Sequence, residues 1–137
     1  GLAWRFPTKV SANIKFSNQL AQRIYAASDI FLMPSDYEPC GIGQLIAMRY
    51  GTIPLVRETG GLKDTVQQYN KYTNTGNGFV FSKYNAHEMM YALKRALSAY
   101  ENMEEWHHIV EHAMSTDFSW KNSAKEYRKL YEQLIAE

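Results

Sequence analysis

Short apolar runs alternate with longer amphipathic stretches along the chain. Continuous apolar runs bounded by polar or proline residues are typical of strands buried in a parallel sheet, whereas apolar residues spaced three and four apart predict helices. On this basis the pattern predicts four strands, of which the first alternates only weakly, at 10–16, 29–34, 52–56 and 78–81. It predicts helices at 18–28, 42–50, 85–100, 104–114 and 119–136.

Polar residues mark where these elements begin and end. Ser17 or Asn18, Asn85 and Ser119 can cap the helices that follow them, because short oxygen-bearing side chains accept from unpaired backbone N–H groups. The helix at 42–50 stops at Gly51. The segment after residue 56 is a polar, glycine-containing loop leading into a helical turn, and the Asn- and Tyr-rich segment 67–78 is predicted to be a surface excursion.

Strands that alternate with helices predict an α/β fold with a mostly parallel, Rossmann-like sheet, flanking helices and a closing helical segment. We expect a single domain over residues 1–137. Ligands of such sheets bind beyond the carboxyl ends of the strands. Three loops are predicted there: the segment after Phe16, Glu38–Gly43 and Thr59–Leu62.

The bulk composition narrows the function classes. The net charge is +1, which argues against general nucleic-acid binding. Cys40 is the single cysteine, so no disulfide forms within the chain and a reducing cytoplasm is the simplest location. No apolar run approaches the roughly 18 residues of a membrane span, and no signal-peptide pattern opens the chain. Because the chain starts at Gly1 without Met, we expect it to be a fragment of a longer protein.

Gly41 and Gly43 open a predicted helix directly after a strand. Glycine allows a ligand to approach the backbone, and the first N–H groups of a helix favour phosphate. The alternative is a tight strand-to-helix turn that binds nothing. The dinucleotide fingerprint G-x-G-x-x-G fails because Ile46 stands where its third glycine would be, and no P-loop Gly-Lys-Ser/Thr follows.

Three further features complete the predicted rim. Glu38 can accept hydrogen bonds from neighbouring sugar hydroxyls, or it is a solvated loop acid. The Thr59–Leu62 segment supplies flexible backbone, and Arg57 and Lys63 on either side of it can help to neutralise phosphate; the alternative is a β-turn with ordinary surface charges. Phe16 can stack on a flat base such as adenine, or it is a core aromatic.

Together these residues resemble one enzyme family. The stretch "SDIFLMPSDYEPCGIGQLIAMRYGTIPLVRETGGLKDTV" and the closing "DFSWKNSAKEYRKLYEQL" are similar to the C-terminal half of bacterial glycogen synthases and plant starch synthases. The resemblance covers nearly the whole chain, and its E-P-C-G and T-G-G-L motifs at this spacing are specific together. It implies one half of a GT-B glycosyltransferase, which moves glucose from ADP-glucose to the non-reducing end of an α-1,4-glucan with retention and without a metal or other cofactor.

The resemblance also implies residue roles. Glu38, the one catalytic-site residue it assigns, would bind the donor glucose through its 3- and 4-hydroxyls. Cys40, Gly41 and Ile42 would lie near the glucose and diphosphate. Gly43 and Gln44 would begin the helix that faces the phosphates. Phe16 would line the adenine pocket, and the supporting loop would comprise Thr59, Gly60, Gly61 and Leu62.

The chain departs from the family pattern at two positions. Many members have Thr in place of Gly43, so one hydroxyl donor to phosphate is lost. Related glycosyltransferases have a Glu in place of Ile46, so ribose binding by that acid is not carried over.

The resemblance also places catalytic parts outside this chain. The Arg/Lys pair that stabilises the leaving diphosphate and the acceptor-holding N-terminal domain lie upstream, so we expect the fragment alone to be inactive. The helix at 119–136 would pack back toward that domain, and a bacterial cytoplasmic parent is expected.

Two alternatives remain open. His108, Glu111 and His112 match the zinc-peptidase pattern H-x-x-E-H, although a pattern with three fixed positions is easily met by chance. A non-catalytic nucleotide- or glucan-binding module on the same fold is the other alternative, because fold does not dictate function.

Overall fold

The computed structural model describes residues 1–136, which form a three-stranded parallel sheet with helices packed around it. The strands β1 (Ile30–Met33), β2 (Ile53–Arg57) and β3 (Phe79–Phe81) lie side by side in that order, all parallel. The helices are α1 (Leu2–Arg5), α2 (Asn18–Ala27), α3 (Gly43–Arg49), α4 (Gly60–Thr65), α5 (Ala86–Tyr100), α6 (Met103–Ser115) and α7 (Trp120–Ala136). The predicted α/β class and parallel sheet are confirmed.

The core is centred on β2, whose residues from Ile53 to Val56 are fully buried. Helices α3, α5 and α6 pack against this strand. Each helix presents small buried residues that let its backbone come close, namely Ala47 on α3, Ala92 and Ala96 on α5, and Ala113 on α6. Larger side chains fill the remaining space, with Trp106 meeting Tyr100 edge-on at 5.1 Å between ring centroids. Burial of this central strand accounts for the continuous apolar run in the sequence.

The strand predicted at 10–16 does not form. Ile14 and Phe16 are 99% and 93% exposed, and the segment forms no ladder with β1 or any other strand of residues 1–136. Its alternation is weak and no face of it is covered, so little apolar burial is available to offset the entropy of ordering it. As a result β1 lies at the edge of the sheet, and Leu32 is 41% exposed instead of being buried on both faces as predicted.

The predicted helix caps are confirmed. Ser17 Oγ accepts from the N–H of Leu20 at 3.3 Å, and Asn85 Oδ1 accepts from the N–H of Glu88 at 2.9 Å. Ser119 Oγ accepts from the N–H of Asn122 at 3.4 Å. These bonds satisfy N–H groups that have no partner inside the helix.

Helix α7 and the 67–78 segment pack differently from an ordinary surface helix and an ordinary surface loop. Helix α7 has an apolar stripe whose members are 50–62% exposed, because no part of residues 1–136 covers Tyr127, Leu130, Tyr131 and Leu134. The 67–78 excursion is anchored by Asn77, which is 6% exposed, accepts from the Gln67 N–H at 2.8 Å and donates to Thr65 O at 3.1 Å. Over residues 1–136, none of the helices combines the length and apolar character that crossing a bilayer requires.

Candidate functional site

Two of the predicted loops meet at the carboxyl ends of β1 and β2. The Glu38–Gly43 loop follows β1, and the start of α4 follows β2. Because these strands are neighbours in a parallel sheet, their following loops share one rim. The backbone N–H of Gly61 donates to the carbonyls of Glu38 and Pro39 at 3.2 and 3.1 Å. The second loop is therefore bonded directly to the backbone of the first.

This contact requires glycine at both positions of the Gly60–Gly61 pair. A Cβ on Gly61 would lie 2.7 Å from Cys40 Cα, and a Cβ on Gly60 would lie 2.9 Å from the carbonyl carbon of Glu38. Both distances are shorter than 3.0 Å, and real Cβ atoms essentially never lie that close to another heavy atom. Gly60 also has φ +43°, in the left-handed region that favours glycine. The main role of the glycine pair is thus to let the backbones of the two loops lie in contact, and its flexibility matters less.

The buried side chain of Gln44 connects the Glu38–Gly43 loop to helix α4. Its side chain is fully buried, and Nε2 donates to Gly41 O at 2.9 Å, Cys40 O at 3.3 Å and Thr65 Oγ1 at 3.1 Å. Thr65 in turn donates to Gly61 O at 2.7 Å. The amide of Gln44 therefore faces the interior, and only its backbone N–H lies at the start of α3. Nothing in the local sequence pattern indicates this role.

The start of α3 is open. No side chain of residues 1–136 caps it, and its first internal bond runs from the Ile46 N–H to Ile42 O, so the N–H groups of Gly43 and Gln44 have no helical partner. Gly41 has φ +67°, which allows the chain to turn into the helix. A Cβ on Gly43 would lie 3.2 Å from the Tyr25 hydroxyl. This end of the helix can therefore accept an oxygen-rich ligand at the backbone.

Arg57 is held inside the rim. Its Nε donates to Ser35 O at 2.9 Å, Nη2 donates to Asp36 O, and Nη1 donates to Ser82 O at 3.4 Å. The side chain is 16% exposed and its guanidinium lies 5.5 Å from the Tyr84 ring centroid. Arg57 thus joins the segments that follow β1 and β3, in place of the phosphate neutralisation considered from the sequence.

Lys63 is likewise occupied, because its Nζ lies 3.3 Å from Glu58 Oε1. The hydrogen bond from Ser82 Oγ to Glu58 Oε2 at 2.9 Å, together with Lys63, lowers the pKa of the Glu58 carboxyl. Both cations that flank the Thr59–Leu62 loop therefore bind groups of the rim itself.

A match to a protein-family model identifies the family of this chain. The model described as glycosyl transferases group 1 matches residues 8–113, which include both rim loops. The chain belongs to the glycosyl transferases of group 1. Its α/β fold and its rim of strand-end loops are therefore those of a glycosyltransferase domain.

Curated relatives narrow the comparison. The glycogen synthase of Clostridium perfringens is 61% identical over 135 residues, covering 98% of this chain and 28% of that protein. The glycogen synthase of Clostridioides difficile is 61% identical over 129 residues, covering 94% of this chain and 27% of that protein. This glycosyltransferase chain thus spans a little over a quarter of the length of these relatives.

Solved structures agree with this fold. The catalytic domain of starch synthase IV from Arabidopsis thaliana bound to ADP and acarbose superposes with a TM-score of 0.85 at 42% identity, covering 99% of this chain and 29% of that one. Sucrose-phosphate synthase from Thermosynechococcus elongatus superposes with a TM-score of 0.65 at 24% identity, covering 98% of this chain and 33% of that one, which shows a shared fold alone.

The glycosyltransferase structure brings together most, but not all, of the predicted site residues. Glu38 is partly buried, whereas the Cys40 thiol and the Ile42 side chain, 69% exposed, face solvent beside it. The Glu38–Gly43 loop and the Thr59–Leu62 segment are in contact. Phe16 packs against neither, since its ring is 93% exposed on a segment that forms no strand.

The H-x-x-E-H residues lie on α6 of this glycosyltransferase domain, away from the rim. His108 Nδ1 is 3.7 Å from Glu111 Oε2, and His112 Nδ1 lies 3.2 Å from Gly76 O. Across the described part of the chain, no three His, Cys, Asp or Glu side chains are grouped so as to hold a metal ion. His112 thus has a structural partner in the 67–78 segment.

Proposed function

We propose that this chain is the donor-binding part of a retaining glucosyltransferase that transfers glucose from ADP-glucose to the non-reducing end of an α-1,4-glucan. The observation that carries the proposal is the Glu38–Gly43 loop, bonded through Gly61 to the neighbouring loop at the strand ends of a group 1 domain. The 61% identity to glycogen synthases supports the reaction. A similar starch synthase domain that is described as bound to ADP supports the nucleotide.

In this proposal each rim group has a defined task. The Glu38 carboxylate accepts from the 3- and 4-hydroxyls of the donor glucose. Backbone groups of Cys40, Gly41 and Ile42 line the sugar and diphosphate. The unpartnered N–H groups of Gly43 and Gln44 face the phosphate oxygens. Phe16 contributes an exposed ring on which adenine can stack. The Thr59–Leu62 segment holds the donor loop in place.

The remaining catalytic parts belong to further chain in this proposal. Residues 1–137 belong to one nucleotide-sugar-binding domain, whose upstream part supplies the Arg/Lys pair for the leaving diphosphate, and a separate N-terminal domain supplies the acceptor site. The exposed apolar stripe of α7 packs back toward that domain, which is consistent with its lack of cover here. The chain alone is then inactive, and the complete enzyme works in the bacterial cytoplasm without a metal or other cofactor.

A chimera tests the proposal. The chain replaces the matching 135-residue segment of the Clostridium perfringens glycogen synthase, and glucan extension from ADP-glucose is measured. We expect the chimera to be active and Glu38→Gln to lower kcat/KM by about 10- to 100-fold, since a hydrogen bond to a charged group contributes about 1.5–3 kcal/mol. Glu101→Gln, at an exposed carboxylate that ends α5, is the matched control and retains activity.

Two outcomes would contradict the proposal. An active chimera in which Glu38→Gln equals the control would remove Glu38 from the donor site. A folded but inactive chimera whose rim still binds ADP would instead support a non-catalytic nucleotide-binding module.

A further inference from the structure

Two cavities adjoin beside the amino end of β3, with volumes of about 430 and 450 Å³. Both are lined by Tyr69, Lys71, Tyr72 and Glu105, so together they form one continuous depression, which we name the tyrosine groove. The Tyr69 N–H donates to Gly78 O at 2.8 Å, directly before β3 begins. The groove therefore lies at the opposite end of the strands from the Glu38–Gly43 loop, and at the sheet edge opposite β1.

Two exposed aromatic rings flank the groove. Tyr72 is 88% exposed and Tyr91 is 65% exposed, and both line the 450 Å³ cavity. Each ring has one cation beside it, with Lys71 Nζ 5.2 Å from the Tyr72 centroid and the Arg95 guanidinium 5.4 Å from the Tyr91 centroid. Tyrosines in this position offer a flat apolar face with a polar edge, which suits a ligand that is apolar on one side and hydroxylated on the other.

Hydrogen bonds hold the groups next to both rings before any ligand binds. Arg95 Nη2 donates to Val80 O at 2.7 Å, which holds the guanidinium beside Tyr91. The Tyr72 N–H donates to Asn70 Oδ1 at 2.9 Å, within a turn closed by the bond from the Asn70 N–H to Thr75 O at 2.8 Å. A preorganised platform reduces the ordering cost of binding.

The polar walls favour a neutral ligand. Carboxylates and cations both occur, because Glu105 and Arg95 line one cavity and Glu104 and Lys71 line the other. Neither an anion nor a cation is therefore favoured along the whole groove. Amide and hydroxyl groups are interspersed, including Gln68, Ser98 and Asn74. Such walls match the many hydroxyls of a sugar chain, and each cavity falls within the size range of small-ligand sites.

We propose that the tyrosine groove binds a linear α-1,4-glucan as a non-catalytic site, with sugar rings stacked on Tyr72 and Tyr91. The identity of the polymer rests on the proposed function, whereas the groove itself does not. A glucan held here remains tethered to the enzyme between reactions, which raises the effective concentration of its free ends at the catalytic cleft.

The test is an amide NMR titration of the 137-residue chain with maltohexaose, cellohexaose and, separately, ADP. We expect maltohexaose to shift the amides of Tyr72, Tyr91 and Ser98 saturably, and cellohexaose, with β-linkages, to bind at least several-fold more weakly. Tyr72→Ala and Tyr91→Ala should each weaken maltohexaose binding about tenfold, in the range of aromatic anchors at interfaces. Tyr72→Phe keeps the ring and should bind like the parent.

Tyr84→Ala is the matched control, because Tyr84 is 62% exposed with the Arg57 guanidinium 5.5 Å from its ring, but lies beyond the carboxyl end of β3. The proposal is overturned if maltohexaose leaves the groove amides unchanged, if both alanine variants bind like the Tyr84 control, or if cellohexaose binds equally well. The ADP arm separates the two proposals, since a glucan response at the groove without an ADP response at the rim would contradict only the donor site.

Discussion

The substitution Gly61→Ala tests whether the two rim loops depend on backbone contact. Gly61 lies in helix α4, where alanine is normally favoured over glycine by about 1 kcal/mol. Its φ is not in the left-handed region, so the backbone conformation itself accepts alanine. On helix propensity alone, the variant should therefore be slightly more stable than the parent chain.

The structure predicts the opposite sign. The new methyl group would overlap the Cys40 carbonyl oxygen and lie 2.7 Å from Cys40 Cα, whereas ordinary contact begins at 3.4 Å, so the loops must part by at least about 0.7 Å. That movement lengthens the bonds from the Gly61 N–H, now 3.2 and 3.1 Å, beyond hydrogen-bonding range. Loss of this shared bond leaves the one N–H of Gly61 without an acceptor, which costs about 1–3 kcal/mol, and the overpacking costs about 1–3 kcal/mol. After the propensity gain, we expect a net loss of about 1–5 kcal/mol.

Urea unfolding and ADP titration together measure this effect. Gly51→Ala is the control, because Gly51 has φ +79° at the end of α3 and its nearest neighbours are flexible side-chain atoms of Met114 and Val110. We expect that control to lose about 1–2 kcal/mol from backbone strain while its ADP affinity stays unchanged. A Gly61→Ala chain that is as stable as the parent and binds ADP equally well would refute the inferred contact.

Three other changes probe the bonds beneath the rim. Gln44→Leu leaves the carbonyls of Cys40 and Gly41 without their side-chain partner. We expect urea unfolding to show a loss of about 2–4 kcal/mol in the free energy of unfolding. An unchanged unfolding midpoint would contradict the role of these buried hydrogen bonds. Arg57→Lys cannot donate to the carbonyls of Ser35 and Ser82 at the same time, as the guanidinium does, and a thermal melt should show a loss of about 1–3 kcal/mol in the free energy of unfolding. Glu58→Gln should cost below about 1 kcal/mol at pH 7, because the carboxylate is partly exposed. Since the folded-state pKa of Glu58 is below its usual 4.5, this contribution is present above that pH and disappears as the pH falls through the folded pKa, so equal stability gaps at pH 7 and pH 3 would contradict it.

The sequence predicts the central elements because strong local signals coincide with burial. The apolar run at β2, the caps Ser17 and Asn85 and the stop at Gly51 each have a local physical cause, and each occurs in the structure. The strand at 10–16 fails because alternation alone does not supply a pairing partner. Burial on both faces of β1 fails because the face that bears Leu32, which is 41% exposed, is not covered by other parts of residues 1–136.

The site was predicted at the level of its loops and less well at the level of its side chains. The spacing of the two glycine motifs and the parallel sheet are enough to bring Glu38–Gly43 and Thr59–Leu62 to one rim. The tertiary bonds of Gln44 and Arg57 connect residues distant in sequence, so no local pattern indicates them. The sequence left Arg57 open between phosphate neutralisation and an ordinary surface charge, whereas its donors bond to backbone carbonyls of the rim.

The most direct test of the donor site is an amide NMR titration of this chain with ADP. We expect saturable shifts at Gly41, Ile42 and Gly43, with smaller shifts at Gly61 because its N–H is bonded to the Glu38–Gly43 loop. The shifts should disappear together in Gly61→Ala and persist in the Gly51→Ala control. Saturable shifts confined to residues away from this rim, or no response at millimolar ADP, would contradict the assignment of the Glu38–Gly43 loop as the nucleotide-sugar site.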